Sequence, residues 1–253
     1  MIDPAWLPFR ASLAGADADG TKLLCFPFAG GGASIYVPWM KQPPAGVTVL
    51  PVQLPGREHR IAERPFEAMG PLLDSLMDTL VGPLDGDLAL FGHSMGALIA
   101  AELAQRMTEA GRPPVRLFAS GFPPPCYPRR ERMLHTLPRD AMLSDLARLN
   151  GLRPEVLAQP ELVELILPIL YADLRLEELH HPVAGAPLPC PVSVFAGDDD
   201  PLTGGNAIDA WRRETRCECT VHRFAGDHFF LLARMPQVLG LIAADLEVAR
   251  ATR

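Results

Sequence analysis

The stretch Leu88-Ala-Leu-Phe-Gly-His-Ser-Met-Gly96 decides the fold of this chain. Its first four residues are continuously apolar, as in a strand that is buried on both faces of a parallel sheet. The pattern G-x-S-x-G follows at once in Gly92–Gly96, and a helix is predicted over Ala97–Ala110 from its apolar periodicity. A strand, a tight turn and a helix in this order hold a serine in a strained conformation with its hydroxyl exposed. The stretch therefore predicts an α/β fold with Ser94 as a nucleophile.

Other short runs typical of strands, most of them continuously apolar, lie on both sides of this stretch and alternate with segments of helical periodicity. The predicted strands are Leu23–Phe26, Val47–Gln53, Leu88–Phe91, Leu117–Ser120, Val192–Phe195 and Thr220–Phe224, and the predicted helices include Leu72–Val81, Ala97–Ala110 and Val238–Val248. This alternation predicts a mostly parallel central sheet with helices on both faces.

About seventy residues separate the fourth predicted strand from the fifth, too many for one crossover helix. They contain amphipathic patterns at Arg139–Leu149, from Glu155 onward and at Glu161–Leu179, and residues 121–191 hold 12 of the 27 prolines. We therefore expect residues 1–120 and 191–253 to form the α/β core and residues 121–190 to form a helical lid insertion. Extra packing over the sheet is the alternative interpretation of this insertion.

Composition restricts the possible classes of protein. With 253 residues, 48% hydrophobic and 21% charged, the chain is typical of a globular protein and not of a disordered or fibrous one. A formal net charge of −7 argues against nucleic acid and anionic membranes as partners. The five cysteines have no metal-ligand spacing, and we expect neither a signal peptide nor a membrane span. These features predict a cytoplasmic location.

The two partners that a nucleophilic serine needs are present in the expected chain order of serine, acid and histidine. The fifth predicted strand is followed by Gly197-Asp-Asp-Asp-Pro201, and the sixth by Gly226-Asp-His-Phe-Phe230. His228 is the expected base, because it lies in the loop that should face Ser94. His93 is adjacent to Ser94 in the turn and cannot reach its hydroxyl. His222 lies inside a predicted strand and is expected to be packed or solvated. The remaining histidines are expected to be solvated: His59, His135, His180 and His181.

The acid is less closely determined by the sequence. Asp200 is favoured, since Pro201 biases it towards an extended conformation at the end of the turn. Asp199 and Asp227 stay open as alternatives.

Backbone donors for an oxyanion are predicted in two places. The amide of Met95 directly follows the nucleophile. The loop Phe26-Pro-Phe-Ala-Gly-Gly-Gly32 follows an early strand and lacks the Lys-Ser/Thr of a phosphate-binding loop. Ala29 is the second expected donor, with Gly30 as the alternative.

Several motifs together resemble those of the type II thioesterases, the stand-alone editing hydrolases of polyketide and non-ribosomal peptide assembly lines. They are Phe26-Pro-Phe-Ala-Gly-Gly31, Pro55-Gly-Arg-Glu-His-Arg60, Gly92-His-Ser-Met-Gly96, Leu167-Pro-Ile-Leu-Tyr-Ala-Asp173 and Gly226-Asp-His-Phe-Phe230. The resemblance runs from about residue 20 to residue 245. It implies an α/β-hydrolase fold with a helical lid, and hydrolysis of acyl thioesters on the phosphopantetheine arm of carrier domains.

The resemblance also implies roles for individual residues. Ser94, Asp200 and His228 match the catalytic residues of the family, and Met95 and Ala29 match its oxyanion donors. No metal or redox cofactor is implied, and we expect a monomer whose partners are acyl or peptidyl carrier domains. Phe28 departs from the family pattern, in which a histidine or tyrosine is more usual, so no side-chain hydrogen bond is expected there.

Two further features concern the substrate. The basic run Arg129-Arg-Glu-Arg132, together with Arg139, is a candidate for binding the phosphate of the arm or an acidic carrier helix, and a solvated loop is the alternative. Apolar positions of the insertion are candidates for an acyl pocket, with helix packing as the alternative: Met133, Met142, Leu146, Leu162 and Leu165. A general carboxylesterase, or an acyltransferase of the same fold, is the competing function.

Overall fold

The computed structural model describes residues 3–9, 20–128, 132–148, 158–182, 185–204 and 206–251. Its strands are β1 (Thr21–Phe26), β2 (Val47–Pro51), β3 (Leu88–His93), β4 (Arg116–Ser120), β5 (Val192–Gly197) and β6 (Cys219–Phe224). They form one sheet in the order β2-β1-β3-β4-β5-β6, in which all neighbouring pairs are parallel. The predicted parallel α/β sheet is confirmed, and each predicted strand is present with ends shifted by at most two residues.

The helices follow the predicted alternation. They are α1 (Val37–Lys41), α2 (Met69–Leu76), α3 (Met95–Glu109), α4 (Arg139–Arg148), α5 (Pro160–Glu178), α6 (Phe230–Ala233) and α7 (Met235–Ala251). A π-helical turn (Met77–Val81) extends α2, and short 3₁₀ turns occupy Ala33–Tyr36, Glu58–Arg60, Leu134–Thr136 and Asp209–Arg213. The helix predicted from Glu155 onward lies outside the described residues. Among the residues described, no helix is both long and apolar enough to cross a membrane.

Each face of the sheet is covered by helices, which explains why most of the strands are continuously apolar. Successive residues of a strand point to opposite faces. Leu90 therefore packs in the cluster beneath α2 and α3, whereas Phe91 packs in the cluster beneath α1 and α7. Helices thus cover both faces of the sheet, and the loops that follow β3, β5 and β6 lie at its carboxyl edge.

The insertion between β4 and β5 has a small core of its own over this edge. Leu146 of α4 packs with Leu170 and Leu174 of α5 in a cluster separate from those of the sheet. Pro160 stands in the first turn of α5, where its missing N–H costs no hydrogen bond. Pro168 lies inside the helix, which continues past it.

Candidate active site

Ser94 occupies the turn between β3 and α3 in a strained conformation, with φ 55° and ψ −124°. A non-glycine residue in this region costs about 1–3 kcal/mol and persists only when its surroundings enforce it. Here the backbone N–H of Ser94 donates to the carbonyl of Ser120 on β4 (2.8 Å), and its carbonyl accepts from the N–H of Ala97 (2.8 Å). The neighbouring strand and the first helical turn therefore hold the serine in place.

The two glycines of the motif are required by close backbone approaches. A Cβ atom on Gly92 would lie 1.9 Å from the carbonyl oxygen of Gly96, and one on Gly96 would lie 2.2 Å from that of Phe26. Real Cβ contacts are essentially never shorter than 3.0 Å. The glycines thus let the start of α3 pack against both β3 and the end of β1.

His228 and Asp200 form a buried pair at the same edge. Nδ1 of His228 lies 2.9 Å from Oδ2 of Asp200, and their side chains are 3% and 0% exposed. The backbone N–H of Leu202 donates to Oδ1 of the same carboxylate (2.9 Å). A carboxylate on Nδ1 keeps the proton there and leaves Nε2 free to accept one.

The two other candidate acids are placed differently. Asp199 is exposed, and its backbone N–H donates to the carbonyl of Gly226 (3.0 Å). The carboxylate of Asp227 accepts from the backbone N–H of Phe229 (2.8 Å). Of the three candidate aspartates, Asp200 is the one that the structure brings to His228.

Ser94 and His228 both line one cavity of about 310 Å³. Most of its wall is apolar and comes from the loop after β1, the loop after β4 and the insertion: Phe28, Ala29, Phe122, Pro123, Met133, Leu134, Leu146, Leu170 and Leu174. Phe28 packs edge-on against Phe229, with ring centroids 4.8 Å apart. An apolar acyl chain could pack against such a lining.

The predicted lining of this cavity is only partly correct. Met133 and Leu146 contribute to the wall. Met142 instead packs fully buried between the helices of the insertion, and Leu162 and Leu165 are 38% and 54% exposed. Periodicity alone could not separate these positions, because a helix of the insertion has faces towards its own core, the cavity and solvent.

The two candidate positions for the second oxyanion donor differ in their partners. Ala29 lines the cavity. The backbone N–H of Gly30 donates to Oδ2 of Asp173 on α5 (2.7 Å) and is therefore engaged. Met95 is the first residue of α3, where a backbone N–H has no acceptor within the helix.

His93 lies beside the candidate base without taking its place. Its Nδ1 is 2.9 Å from the hydroxyl of Ser120, and its ring centroid is 5.0 Å from that of His228. Burial, and next the charge of His228, hold the pKa of His93 well below its usual value. His93 is therefore uncharged at neutral pH.

The basic run is only partly described, since residues 129–131 lie outside the described ranges. Arg132 pairs with Asp145 (3.0 Å), and Arg139 pairs with Glu164 (2.7 Å). The charges of the two described arginines are thus balanced by acidic neighbours.

Two histidines expected to be solvated are in fact partly buried and paired. His135 lies 2.6 Å from Glu178, and His180 lies 2.9 Å from Glu102. Tertiary packing of the insertion creates both pairs.

Sequence reasoning missed the roles of Arg57 and Asp173. Each lies in one of the motifs that resemble the family, and in the fold they form a buried ion pair between the loop after β2 and α5. Their motifs contain none of the proposed catalytic residues. An arginine in one such motif and an aspartate in the other have opposite charges, and this is the signal that could have predicted an ion pair.

Comparisons with known proteins show the family of this chain and agree with its fold. Residues 21–246 match the family model described as the thioesterase domain. The gramicidin S biosynthesis protein GrsT of Aneurinibacillus migulanus is 33% identical over 233 residues, covering 92% of this chain and 91% of that protein. Thioesterase PikA5 of Streptomyces venezuelae is 35% identical over 239 residues, covering 93% and 84%. The thioesterase RedJ of the prodiginine pathway in Streptomyces coelicolor superposes with a TM-score of 0.84 at 36% identity, covering 89% and 90%.

A strained serine turn and a buried histidine–aspartate pair at the carboxyl edge of a parallel sheet define an α/β-hydrolase fold. The chain belongs to the thioesterase domain family. Similar structures in this family include type II thioesterases of the borrelidin and yersiniabactin pathways.

Proposed function

We propose that this enzyme hydrolyses acyl thioesters on the phosphopantetheine arm of carrier domains, and that it removes stalled or mis-primed acyl groups from an assembly line. One observation carries the proposal. Ser94 and His228 line the same largely apolar cavity, and His228 is hydrogen-bonded to the buried carboxylate of Asp200. The gramicidin S and prodiginine assignments of the relatives support the choice of substrate.

In the proposed mechanism, the Ser94 hydroxyl attacks the thioester carbonyl while Nε2 of His228 accepts the hydroxyl proton. Asp200 holds the imidazole in the required tautomer and stabilises the imidazolium without taking the proton itself. The carbon–sulfur bond then breaks, and His228 gives the proton to the leaving thiol. A water molecule activated by His228 hydrolyses the acyl-enzyme and regenerates Ser94.

The negative charge of each tetrahedral intermediate is held by two backbone amides in this proposal, those of Met95 and Ala29. Ala29 is preferred over Gly30 because the amide of Gly30 already donates to Asp173. Loss of one such donor typically costs about 3–4 kcal/mol of transition-state stabilisation. No metal or redox cofactor takes part in these steps.

Partner and location complete the proposal. The proposed partners are acyl or peptidyl carrier domains, and the proposed working state is a monomer in the cytoplasm. The five cysteines are all free, which is consistent with a reducing compartment. The basic run with Arg129 and Arg130 stays a candidate for contact with the phosphate of the arm.

The test is release of free thiol from a carrier domain loaded with acetyl or propionyl groups. We expect rapid release by the wild type and a loss of roughly 10³-fold or more in Ser94→Ala. The control Ser75→Ala, on the half-buried surface of α2, should keep full activity.

Two outcomes would contradict the proposal. Fast cleavage of a simple p-nitrophenyl ester without release from the carrier would favour the general carboxylesterase. Transfer of the acyl group to an added alcohol or amine, in preference to water, would favour the acyltransferase.

A further inference from the structure

Arg57 and Asp173 form a buried, bidentate ion pair close to the loop Phe26–Gly32, which contains the proposed oxyanion donor Ala29. The Nη1 and Nη2 groups of Arg57 donate to Oδ2 and Oδ1 of Asp173, each over 2.7 Å. The side chains are 4% and 2% exposed, and neither residue is among those that line the cavity. The pair therefore acts on the site only through the residues it contacts.

Both residues contact the backbone of the loop Phe26–Gly32, which follows β1. Oδ2 of Asp173 accepts from the N–H of Gly30 (2.7 Å), and Nη1 of Arg57 donates to the carbonyl of Gly31 (3.1 Å). Gly30 has φ +77°, a left-handed conformation that suits glycine. The ion pair thus holds two successive residues of the loop immediately after Ala29, the proposed donor.

The residues that follow the loop, Ala33 and Ser34, are bound by the segment after β2 that also contains Arg57. The N–H and hydroxyl of Ser34 both donate to Oε1 of Glu58, at 3.3 and 2.6 Å. A Cβ on Gly32 would lie 2.1 Å from that oxygen. The N–H of Ala33 donates to Oε1 of Gln53 (2.9 Å). These contacts hold Gly32, Ala33 and Ser34, the residues that follow the two held by the ion pair.

Helix α5 has two roles at this point. Asp173 on one side of the helix binds the loop, and Leu170 and Leu174 on another line the cavity. A Cβ on Gly30 would lie 2.7 Å from Cδ2 of Leu170, so the helix also packs directly on the loop. The wall proposed for the acyl chain and the support of the proposed oxyanion donor thus belong to one helix.

A buried ion pair contributes little to stability compared with well-packed apolar side chains, because its desolvation offsets the attraction. Its contribution here is geometric, since two hydrogen bonds join Arg57 to Asp173 and two more hold the backbone of Gly30 and Gly31. We propose that Arg57 and Asp173 are positioning residues that couple the seating of α5 to the placement of the Ala29 amide. This inference rests on the proposed function.

The test replaces the pair by apolar residues of similar size, Arg57→Met with Asp173→Leu, which restores packing without leaving a buried charge. We expect kcat on the acyl carrier to fall by roughly 10- to 100-fold, because the oxyanion donor loses its support. KM should change little. The affinity of an alkyl boronic acid, which forms a tetrahedral adduct with a serine, should fall by a similar factor.

The matched control is a second buried arginine with an acidic neighbour, away from this loop. Arg116 lies 3.5 Å from Asp245, and its Nη1 donates to the hydroxyl of Ser193 (2.7 Å). The double variant Arg116→Met with Asp245→Leu should leave both kcat and boronate affinity within about twofold of the wild type. An equal loss of activity in both double variants would mean a purely structural role for Arg57 and Asp173.

Two measurements keep the inference falsifiable. If the first double variant does not fold, Arg57→Lys removes the two-pronged geometry while keeping the charge, and it should show the same split between kcat and KM. Unchanged kcat and boronate affinity in a folded variant would overturn the positioning role. An inactive wild type would instead contradict the proposed function, and boronate affinity would still report on the loop.

Discussion

Nδ1 of His228 lies 2.9 Å from Oδ2 of Asp200, although 28 residues separate them in the chain. The parallel register of β5 and β6 places Gly197 opposite Phe224, so the two following loops leave the sheet side by side. A Cβ on Gly197 would lie 2.4 Å from the carbonyl oxygen of Asp227, which shows how closely these loops pack. The pair is therefore a consequence of strand register and of a glycine at the crossing.

Substitutions at Asp200 and Asp199 should show which of the two aspartates supports His228. Asp200→Asn should lower kcat by about 10³- to 10⁴-fold, because the amide favours the wrong tautomer of His228. Asp199→Asn, at an exposed position, should stay within about twofold of the wild type. Steady-state kinetics on a loaded carrier measure both, and comparable losses would reject Asp200 as the particular partner of His228.

The glycines of the serine turn should not tolerate a methyl group. Gly92→Ala and Gly96→Ala should each lower the free energy of unfolding by about 3 kcal/mol or more, since the added Cβ meets backbone atoms that cannot move. Gly240→Ala is the control, in α7 with nothing within 4 Å of the added Cβ, and should raise stability by about 0.5–1 kcal/mol. Urea unfolding measures all three, and small losses at Gly92 and Gly96 would contradict the packing described.

The backbone strain at Ser94 should lower the free energy of unfolding. Ser94→Gly should be more stable than Ser94→Ala by about 1 kcal/mol, because glycine adopts φ 55° without a steric cost and alanine does not. Both variants lack the hydroxyl, so the comparison isolates the backbone. Equal free energies of unfolding would mean that the turn stores no strain.

The low pKa of His93 should make stability depend on pH. Its ordinary value is 6.5, and burial lowers the folded-state value well below this. Below pH 6.5 the unfolded chain therefore binds a proton that the folded protein excludes, and stability falls as the pH falls. The loss continues at up to about 1.4 kcal/mol per pH unit until the folded-state pKa is reached.

His93→Asn removes this titration while an amide can still bond the hydroxyl of Ser120. Its free energy of unfolding should change less between pH 7.5 and pH 5.5 than that of the wild type. Denaturant unfolding at the two pH values measures the difference. The same pH dependence in both proteins would show that His93 is not the source of the effect.

The cavity wall should determine which lengths of acyl chain the enzyme accepts. Met133→Trp should fill part of the cavity of about 310 Å³, and should lower kcat/KM for an octanoyl carrier by roughly 10-fold or more while acetyl turnover stays unchanged. Leu165→Trp, on the exposed side of α5, should alter neither substrate. A uniform loss for both chain lengths in Met133→Trp would place the acyl chain elsewhere.

Local patterns made much of the fold predictable. Most of the strands were predictable because strands buried on both faces are continuously apolar, whereas β6 contains His222 and Arg223 and is only partly buried. The helix after the serine motif was predicted over Ala97–Ala110 and spans Met95–Glu109 in the structure. The faces of the inserted helices were not predictable, since Met142, Leu146 and Leu165 are all apolar but lie in a core, in a cavity wall and in solvent.

The amino-acid sequence by itself determined the class of the fold and the order of the chemical groups, because strand periodicity, the Gly92–Gly96 turn and chain order are local properties. Only the tertiary structure decided that Arg57 pairs with Asp173 across 116 residues and that the amide of Gly30 is engaged. Contacts of this kind depend on how α5 packs over the edge of the sheet. That packing sums many weak side-chain contacts between distant segments, and no short stretch of sequence contains it.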